Sequence, residues 1–163
     1  MSQGERAAAA LSLRSPAFQP NQPIPPRHTC DGEDRSPALA WDGVPDTAQA
    51  FALVVDDPDA PGGDFTHWVL FDLPASTREL PENVPPAERL ERGGIQGRND
   101  FGSLGYRGPC PPPGSPHRYR FTLYALNGPV NLRPGTTRQQ LLQAIQGRLL
   151  GQAQLVGTYR RQA

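Results

Sequence analysis

The chain has 163 residues, the length of one ordinary domain, so a single core must carry any function. Its 16 basic and 16 acidic residues cancel, and this balance argues against nucleic acid as a partner because such binders cluster an excess of basic residues. All the basic residues are arginine, which excludes mechanisms that need a Schiff-base or P-loop lysine. We expect one domain over residues 1–163, with about 1–14 as a loose amino-terminal segment.

The cysteines and the apolar runs bear on the compartment. Cys30 and Cys110 are too few for a disulfide scaffold, although they could form one bridge. The apolar run from Ala7 to Leu11 is too short for a signal peptide, and no stretch approaches the roughly 18 apolar residues of a membrane span. The sequence therefore predicts a reducing, cytoplasmic compartment and no integral membrane association.

Alternation with period two predicts four strands, and three shorter candidates, at 11–14, 24–28 and 39–41, are each bounded by proline or glycine. In chain order they are Leu11 to Arg14, Ile24 to His28, Leu39 to Trp41, Ala50 to Asp57, Phe65 to Leu73, His117 to Leu126 and Ala153 to Tyr159. In the fifth of these, the pattern places five residues on one face: Phe65, His67, Val69, Phe71 and Leu73. Residues 74–97 are predicted to form a long surface loop, with a helical turn around Pro86 to Arg92.

One segment has the pattern of a helix. Thr137 and Gln140 fit a capping box, an apolar stripe follows, and Gly151 offers a left-handed stop, so we expect a helix from about Arg138 to Leu150. Many strands, many turn residues and one late helix predict an all-β fold, an antiparallel sandwich or barrel with a helix docked on it.

An aspartate-rich turn follows the strand that ends at Asp57. Pro58 and Pro61 fix φ and lack N–H groups, so the strand stops there and Asp57 and Asp59 are held in a rigid turn. Two interpretations stay open, a binding site or an ordinary turn in which the aspartates bond to the backbone.

Two histidines lie on strands that are predicted to face the core. His67 is either a satisfied core histidine or part of a site, because a buried imidazole needs partners for its ring nitrogens. His117 and Tyr119 follow the proline-rich loop 108–116 and share the inward face, because side chains alternate along a strand. The proline run could alternatively be a polyproline ligand for a recognition domain.

Several chemistries are open to this set of residues. A metal site is weakly supported because no close histidine pair is present, and we expect no cofactor. A serine nucleophile elbow is missing, and Cys110, although near His117, is boxed in by prolines, so inert burial is favoured over a reactive thiol. The expectation that remains is an anion pocket in which the histidines, a tyrosine hydroxyl and loop N–H groups donate hydrogen bonds.

At this point the motifs resemble those of the phosphatidylethanolamine-binding protein family, also called the Raf kinase inhibitor protein family, and in particular its small bacterial branch. The resemblance runs from about Ser15 to Arg160. Its motifs are Asp57-Pro58-Asp59-Ala60-Pro61, Thr66-His67-Trp68-Val69-Leu70, the run from Asn99 to Tyr106, Gly108-Pro109-Cys110-Pro111-Pro112 and His117-Arg118-Tyr119. The resemblance implies an antiparallel β-sandwich of Greek-key type with a small anion pocket at one end.

The resemblance also implies the site residues and the ligands. Carried over by position, the pocket consists of Asp57, Pro58, Asp59, His67, Gly108, Pro109, His117 and Tyr119, with Pro61 shaping the wall. His28 departs from the family pattern, and we expect it at the pocket mouth or exposed. The implied ligands are phosphate-like or acetate-like anions and phosphoethanolamine head groups.

We therefore expect a non-enzymatic module that binds a small anionic ligand. One alternative is a protein-interaction regulator that inhibits a kinase or a protease. Another is a weak hydrolase with Asp59 and His67 as an acid/base pair. A homodimer formed through the late helix is also left open.

Overall fold

The structure, a computed structural model, describes residues 10–162, so residues 1–9 of the expected loose segment lie outside the described residues. Its elements, in chain order, are β1 (Ser12–Arg14), a 3-10 turn (Pro26–His28), β2 (Leu39–Asp42), β3 (Ala50–Asp57), β4 (Phe65–Pro74), β5 (Glu79–Leu80), β6 (Ile95–Gln96), β7 (His117–Leu126), α1 (Arg138–Ile145) and β8 (Leu149–Tyr159). They form a three-stranded sheet, β1-β2-β5, and a five-stranded sheet, β6-β4-β3-β7-β8. All the strand pairs within these sheets are antiparallel. The prediction of an antiparallel β-sandwich is confirmed.

The core has two layers, one on each face of the five-stranded sheet. Between the sheets, Phe51, Leu53 and Val55 of β3 pack in one cluster with Trp41 of β2. On the outer face, β3 and β4 pack against the buried side of α1. This second layer consists of Ala52, Val54, Val69, Phe71, Leu126, Val130, Leu141 and Ile145. Because both faces are covered, every residue of β3 is buried.

The helix is shorter than its pattern predicts. Its capping box is confirmed, because the Gln140 N–H donates to Thr137 Oγ1 at 3.2 Å and the Thr137 N–H donates to Gln140 Oε1 at 3.0 Å. The helix ends at Ile145, since Gly147 rather than Gly151 takes the left-handed conformation, with φ at 82°. The chain then enters β8 at Leu149 instead of Ala153. Over residues 10–162, no helix combines the length and hydropathy that a membrane span requires.

Two other predictions of local structure are wrong. The segment from Ile24 to His28 is not a strand; it contains the 3-10 turn, because Pro25 and Pro26 have no N–H to pair in a sheet. No helical turn forms around Pro86 to Arg92. The surface loop instead contains the two-residue strands β5 and β6.

A β-bulge in β4 places residues near the end of the sandwich. Val55 pairs with Trp68 and Asp56 pairs with Thr66, so His67 is an extra residue opposite the β3 strand. A second register shift, between the pairs Phe51–Leu73 and Leu53–Leu70, falls beyond Phe71. Because of these two irregularities, the predicted common face of five residues is wrong. Phe65 and His67 line a cavity, Val69 and Phe71 pack in the outer layer, and Leu73 packs between the sheets.

Candidate ligand-binding site

A cavity of about 250 Å³ opens at one end of the sandwich. The end of β3 and the beginnings of β4 and β7 meet there, because β3 is antiparallel to both of the other strands. The cavity is lined by Asp57, Ala60, Pro61, Phe65, His67, Phe101, Cys110, Pro111, Pro112, His117 and Tyr119. The structure thus brings together four of the predicted site residues: Asp57, His67, His117 and Tyr119.

A larger groove of about 610 Å³ runs along residues 73–93. Its lining includes Leu73, Leu80 and Val84, which belong to the core between the sheets. Among the described residues, the two buried side-chain atoms without a hydrogen-bond partner are Trp41 Nε1 and Tyr119 Oη. Neither residue lines this groove, whereas Tyr119 lines the smaller cavity. We therefore place the functional site at the smaller cavity.

Asp57 fixes the orientation of His117. Oδ2 of Asp57 lies 2.7 Å from Nδ1 of His117, and Oδ1 accepts a hydrogen bond from the Asp59 N–H at 2.7 Å. The side chain of Asp57 is only 5% exposed, so its carboxylate depends on these donors in place of water. Because the carboxylate accepts from Nδ1, the second ring nitrogen of His117, Nε2, is left for the cavity.

The bulge residue His67 is fixed in the same way by a backbone carbonyl. Nδ1 of His67 lies 2.6 Å from the carbonyl oxygen of Arg107, which can only accept, so Nδ1 carries the hydrogen. Burial lowers the pKa of His67 below its ordinary value, and the Arg107 carbonyl and the charge of Asp57 oppose that shift in part. The imidazole is therefore neutral at neutral pH, with a lone pair on Nε2.

Tyr119 lies between the two histidines. Its ring packs edge-on against His67 at a centroid distance of 5.3 Å and stacks on His117 at 6.5 Å. The residue is fully buried, and its hydroxyl makes no hydrogen bond to any described residue. Burial raises the pKa of Tyr119, and the charge and close approach of the Asp57 carboxylate raise it further. That carboxylate nevertheless does not meet hydrogen-bond geometry with the hydroxyl. The hydroxyl therefore keeps its hydrogen and is available to donate to a ligand.

Two aromatic side chains that sequence reasoning did not assign to the site also line the cavity. The rings of Phe65 and Phe101 meet edge to face at 4.9 Å, and Phe101 is 40% exposed. The guanidinium of Arg107 lies 4.6 Å from the centre of the Phe101 ring. Phe101 is held in a turn by Asn99, whose Oδ1 accepts the Phe101 N–H. The run Asn99 to Gly102 is part of a family motif, but its sequence does not predict which strand end this loop contacts.

Asp59 and Pro58 stand outside the cavity lining. The carboxylate of Asp59 accepts three hydrogen bonds from Arg118, from its backbone N–H, Nε and Nη2, at 2.9, 3.0 and 2.9 Å. These bonds hold the pKa of Asp59 to about 2. Asp59 therefore clamps the turn that carries Ala60 and Pro61 into the wall. The structure does not pair it with His67, as the hydrolase alternative would require.

Gly108 and Pro109 lie behind the wall of the cavity. The Gly108 N–H donates to Asp34 Oδ1 at 2.9 Å, so this amide is already committed within the protein. A Cβ at position 108 would come within 2.0 Å of the His28 carbonyl oxygen, which explains the glycine. His28 itself is fully buried, with Nδ1 2.8 Å from the Arg35 carbonyl oxygen, so the expectation that it lies exposed or at the mouth is wrong.

A disulfide joins Cys30 to Cys110 and ties the proline-rich wall to the segment that follows the 3-10 turn. Cys110 is exposed rather than buried, and its sulfur is bonded, so it offers no thiol nucleophile. In the part of the chain that the structure describes, no cluster of three or more His, Cys, Asp or Glu residues could hold a metal ion. The expected cytoplasmic location stays a prediction.

The fold and the site together define a β-sandwich with a small cavity, lined by a few polar side chains among apolar ones, at the end of its larger sheet. Residues 14–160 match the family described as phosphatidylethanolamine-binding protein, and the chain belongs to that family. A UPF0098 protein of Methanothermobacter thermautotrophicus is 53% identical over 151 residues, covering 93% of this chain and 99% of the relative. The resemblance drawn from the motifs is confirmed.

Solved structures of the family agree with this fold. The crystal structure of Escherichia coli YbcL, described as a new member of the mammalian family, matches with a TM-score of 0.88 and 30% identity, covering 94% of this chain and 100% of that one. A homologue from Chlamydia trachomatis matches with a TM-score of 0.86 and 36% identity, covering 93% and 98%.

Proposed function

We propose that the cavity binds a small oxyanion of the phosphate or carboxylate type, either free or as the head group of a phospholipid. The observation that carries this proposal is the buried hydroxyl of Tyr119, which has no hydrogen-bond partner among residues 10–162. A buried hydroxyl left unpaired costs about 1–3 kcal/mol. A ligand oxygen that accepts from Tyr119 removes that cost on binding.

The size of the cavity supports a compact ligand. Its volume of about 250 Å³ is below the roughly 300–1,000 Å³ of pockets that enclose drug-sized molecules. Phe65 and Phe101 line it together with the polar groups, so an apolar substituent on the anion would contact these rings. A phospholipid would therefore enter by its head group alone.

Calorimetric titration at pH 6.5 tests the proposal, with inorganic phosphate, acetate and phosphoethanolamine as probes. We expect saturable binding by the wild type and a loss of about 10- to 100-fold in affinity for Tyr119→Phe, the worth of one hydrogen bond to a charged group. Tyr124→Phe is the matched control, because Tyr124 lies on the same strand but lines a different pocket. No saturable binding of any probe by the wild type, or equal losses in both variants, would overturn the proposal.

A second candidate function is the regulation of a kinase or a protease by direct contact. Its support is Phe101, a large apolar side chain that is 40% exposed at the cavity. If this face inhibits such an enzyme, Phe101→Ser abolishes inhibition in a panel of purified kinases and proteases. Leu149→Ser, which removes a comparably exposed apolar residue from β8, leaves it unchanged. A panel without inhibition by the wild-type protein would reject this candidate.

A further inference from the structure

The strand β8 forms one edge of the five-stranded sheet, and only its second half is covered on the outer side. There the segment 21–24 runs along it. The Val156 carbonyl accepts the Asn21 N–H at 2.6 Å, and the Thr158 N–H donates to the Gln22 carbonyl at 3.0 Å. These main-chain groups of Val156 and Thr158 therefore point away from β7.

The main-chain groups of two residues in the first half of β8 point the same way. Pairing with β7 is regular from Gly151 onward, and in an antiparallel ladder alternate residues turn their N–H and C=O away from the neighbouring strand. Gln152 and Gln154 are thus in phase with Val156. Neither glutamine has its N–H or C=O bonded on this outer side to any of residues 10–162. The first half of the edge is therefore open to another strand.

The open stretch lacks two features that ordinarily keep an edge strand from pairing. Natural edges carry charged residues or proline, whereas β8 contains neither. A bulge at its start and the segment 21–24 at its end limit the open stretch to residues 149–155. Three large apolar side chains are exposed among the described residues, and two of them, Leu149 and Leu150, lie at the start of this stretch. The stretch therefore has the character of an unoccupied interface.

The chemistry of this edge matches a second copy of the same edge. The side chains beside it on the outer face are those of Gln152 and Gln154, and an amide both donates and accepts, so it can pair with its own kind. The stretch itself is uncharged, so an acidic or basic partner finds no opposite charge along it. The chain has no formal net charge, which favours association of like molecules.

We infer that two copies of the chain pair in antiparallel fashion through residues 149–155, about a two-fold axis beside Gln152. Gln152 is the middle residue of the stretch, so the N–H of each Gln152 donates to the C=O of the other. In this register neither copy displaces the segment 21–24 of its partner. Leu149 and Leu150 of each copy lie against the end of the partner's open stretch and lose exposed apolar surface. The two five-stranded sheets become one sheet of ten strands.

The assembly stops at two copies because the other edge of the sheet is protected. At that edge the Gln96 N–H of β6 donates to the Glu88 carbonyl at 3.0 Å, so a neighbouring segment covers the strand. This covering segment carries the charged residues Glu88 and Arg89. Pairing of β8 with β6 of a further copy, which would extend into a filament, is therefore disfavoured, and the two-fold pairing of β8 with β8 closes on itself.

Sedimentation equilibrium of the full chain from about 1 µM to about 1 mM, the range in which weak complexes form, tests the pairing. An interface made by one short strand lies at the weak end of protein interfaces, so we expect half of the protein to be dimeric near about 100 µM. The mean mass should rise from 17.7 kDa toward twice that value. The mass of a single chain over the whole range would overturn the inference and leave this edge for an extended segment of another protein.

Gln152→Lys is the variant that addresses the two-fold axis. It places two like charges side by side in the dimer, and we expect dimerisation to weaken by at least about tenfold. The side chain of Gln152 is exposed, so the fold of the single chain is retained. Gln143→Lys is the matched control, because it adds the same charge to an exposed glutamine on α1. Equal effects of the two variants, or a loss in Gln143→Lys alone, would overturn the inference.

Amide hydrogen exchange locates the interface in the wild type. We expect the N–H groups of Gln152 and Gln154 to exchange more slowly as the protein concentration rises, because pairing removes them from water. Concentration-dependent slowing elsewhere without slowing at these two amides would overturn the inference. The cavity lies at the other end of β8, where Tyr159 pairs with His117. The proposed ligand binding is therefore tested separately from this pairing.

Discussion

Asp59 shows how a residue outside the cavity fixes its wall. Its carboxylate takes three hydrogen bonds from Arg118 on β7, and the turn that it anchors continues into Ala60 and Pro61. The ionised form is secured, since Arg118 holds the pKa of Asp59 to about 2. The same aspartate that a motif assigns to ligand binding thus acts here through the geometry of the turn.

Asp59→Asn tests this positioning role. The amide keeps an acceptor but loses the charge pairing with Arg118, and exposed pairs of this kind contribute up to about 1 kcal/mol. We expect affinity for phosphate to fall by up to about fivefold in calorimetry, with the heat of binding at saturation preserved. Asp42→Asn, which removes the exposed ion pair with Arg14 on β1, is the control and should leave affinity unchanged. Wild-type affinity for phosphate in Asp59→Asn would refute the proposal that Asp59 positions the turn that forms the cavity wall.

The buried histidines also set the response of stability to pH. Burial lowers the pKa of both His28 and His67 in the folded protein below the ordinary value near 6.5. Between the folded and unfolded pKa values the unfolded chain binds more protons, so the stability that these residues contribute is present above pH 6.5 and is lost on acidification.

Urea unfolding at pH 7.5, 6.5 and 5.5 measures this effect. We expect the free energy of unfolding to fall with each step, and the fall to be smaller in His28→Gln, which cannot be protonated in this range. A free energy that rises between pH 7.5 and 5.5 would show that other groups dominate the pH dependence.

At the scale of elements, α1 depends on its first turn. The helix is only two turns long, and the capping box satisfies two N–H groups at its amino-terminal end, those of Thr137 and Gln140. Its buried residues, Leu141 and Ile145, cover the outer layer of the five-stranded sheet. Loss of the cap therefore exposes part of that layer more readily.

Thr137→Ala is expected to lower the free energy of unfolding by about 1 kcal/mol, as the loss of a threonine cap does elsewhere. Thr47→Ala provides a matched control, because Thr47 is exposed and its side chain makes no hydrogen bond to the described residues. Phosphate affinity should stay at the wild-type value in both variants, since α1 is not part of the cavity lining. An equal effect of the two substitutions on urea unfolding would contradict the cap assignment.

At the scale of the whole molecule, the disulfide closes a large covalent loop through the site. Its cysteines are 80 residues apart in sequence. Residues 110–116 make no backbone hydrogen bond to any described residue, while the preceding Pro109 carbonyl accepts the Cys30 N–H. The bridge is therefore the main attachment of the wall formed by Cys110, Pro111 and Pro112.

The double variant Cys30→Ser/Cys110→Ser should lose about 4 kcal/mol of stability, because the unfolded chain regains the entropy of a long open loop. Phosphate affinity should fall as well, since the wall is no longer anchored. Adding a dithiol reductant to the wild type should reproduce both effects but change nothing in the double variant. Unaltered affinity in folded double-variant protein would show that the wall holds its position without the bridge.

Most of the strands and the one helix could be predicted from local sequence patterns. Strands β3 and β7 match their alternation, and the capping box of α1 is visible as two residues at the right spacing. The two-residue strands β5 and β6 have no period to detect, and their pairing depends on partners far along the chain. The helix α1 ends early because Gly147, and not Gly151, adopts the left-handed conformation, and the local sequence pattern does not distinguish the two glycines.

The candidate site was predictable in part for the same reason. Asp57, His67, His117 and Tyr119 lie at strand ends, so topology brings them together once the strands pair. Gly108 is part of a family motif, but its N–H donates to the carboxylate of Asp34. The two residues are 74 positions apart, so no local sequence pattern predicts this hydrogen bond. Phe101 lies on a loop that lines the cavity, and the path of that loop depends on its contacts with the folded sheet. Tertiary contacts, rather than propensities, decide these positions.

The bulge at His67 has a consequence for how this fold tolerates change. It interrupts the alternation of β4, so the cavity residues Phe65 and His67 are separated by one irregularity from Val69 and Phe71 beneath the helix. Each side of the bulge keeps its own alternation as far as Phe71, before a second register shift, opposite Phe51 to Leu53, turns Leu73 back between the sheets. Substitutions can therefore accumulate in the layer under α1 without changing the direction of the ligand-facing side chains, and a protein engineer can redesign either half while leaving the other as it is.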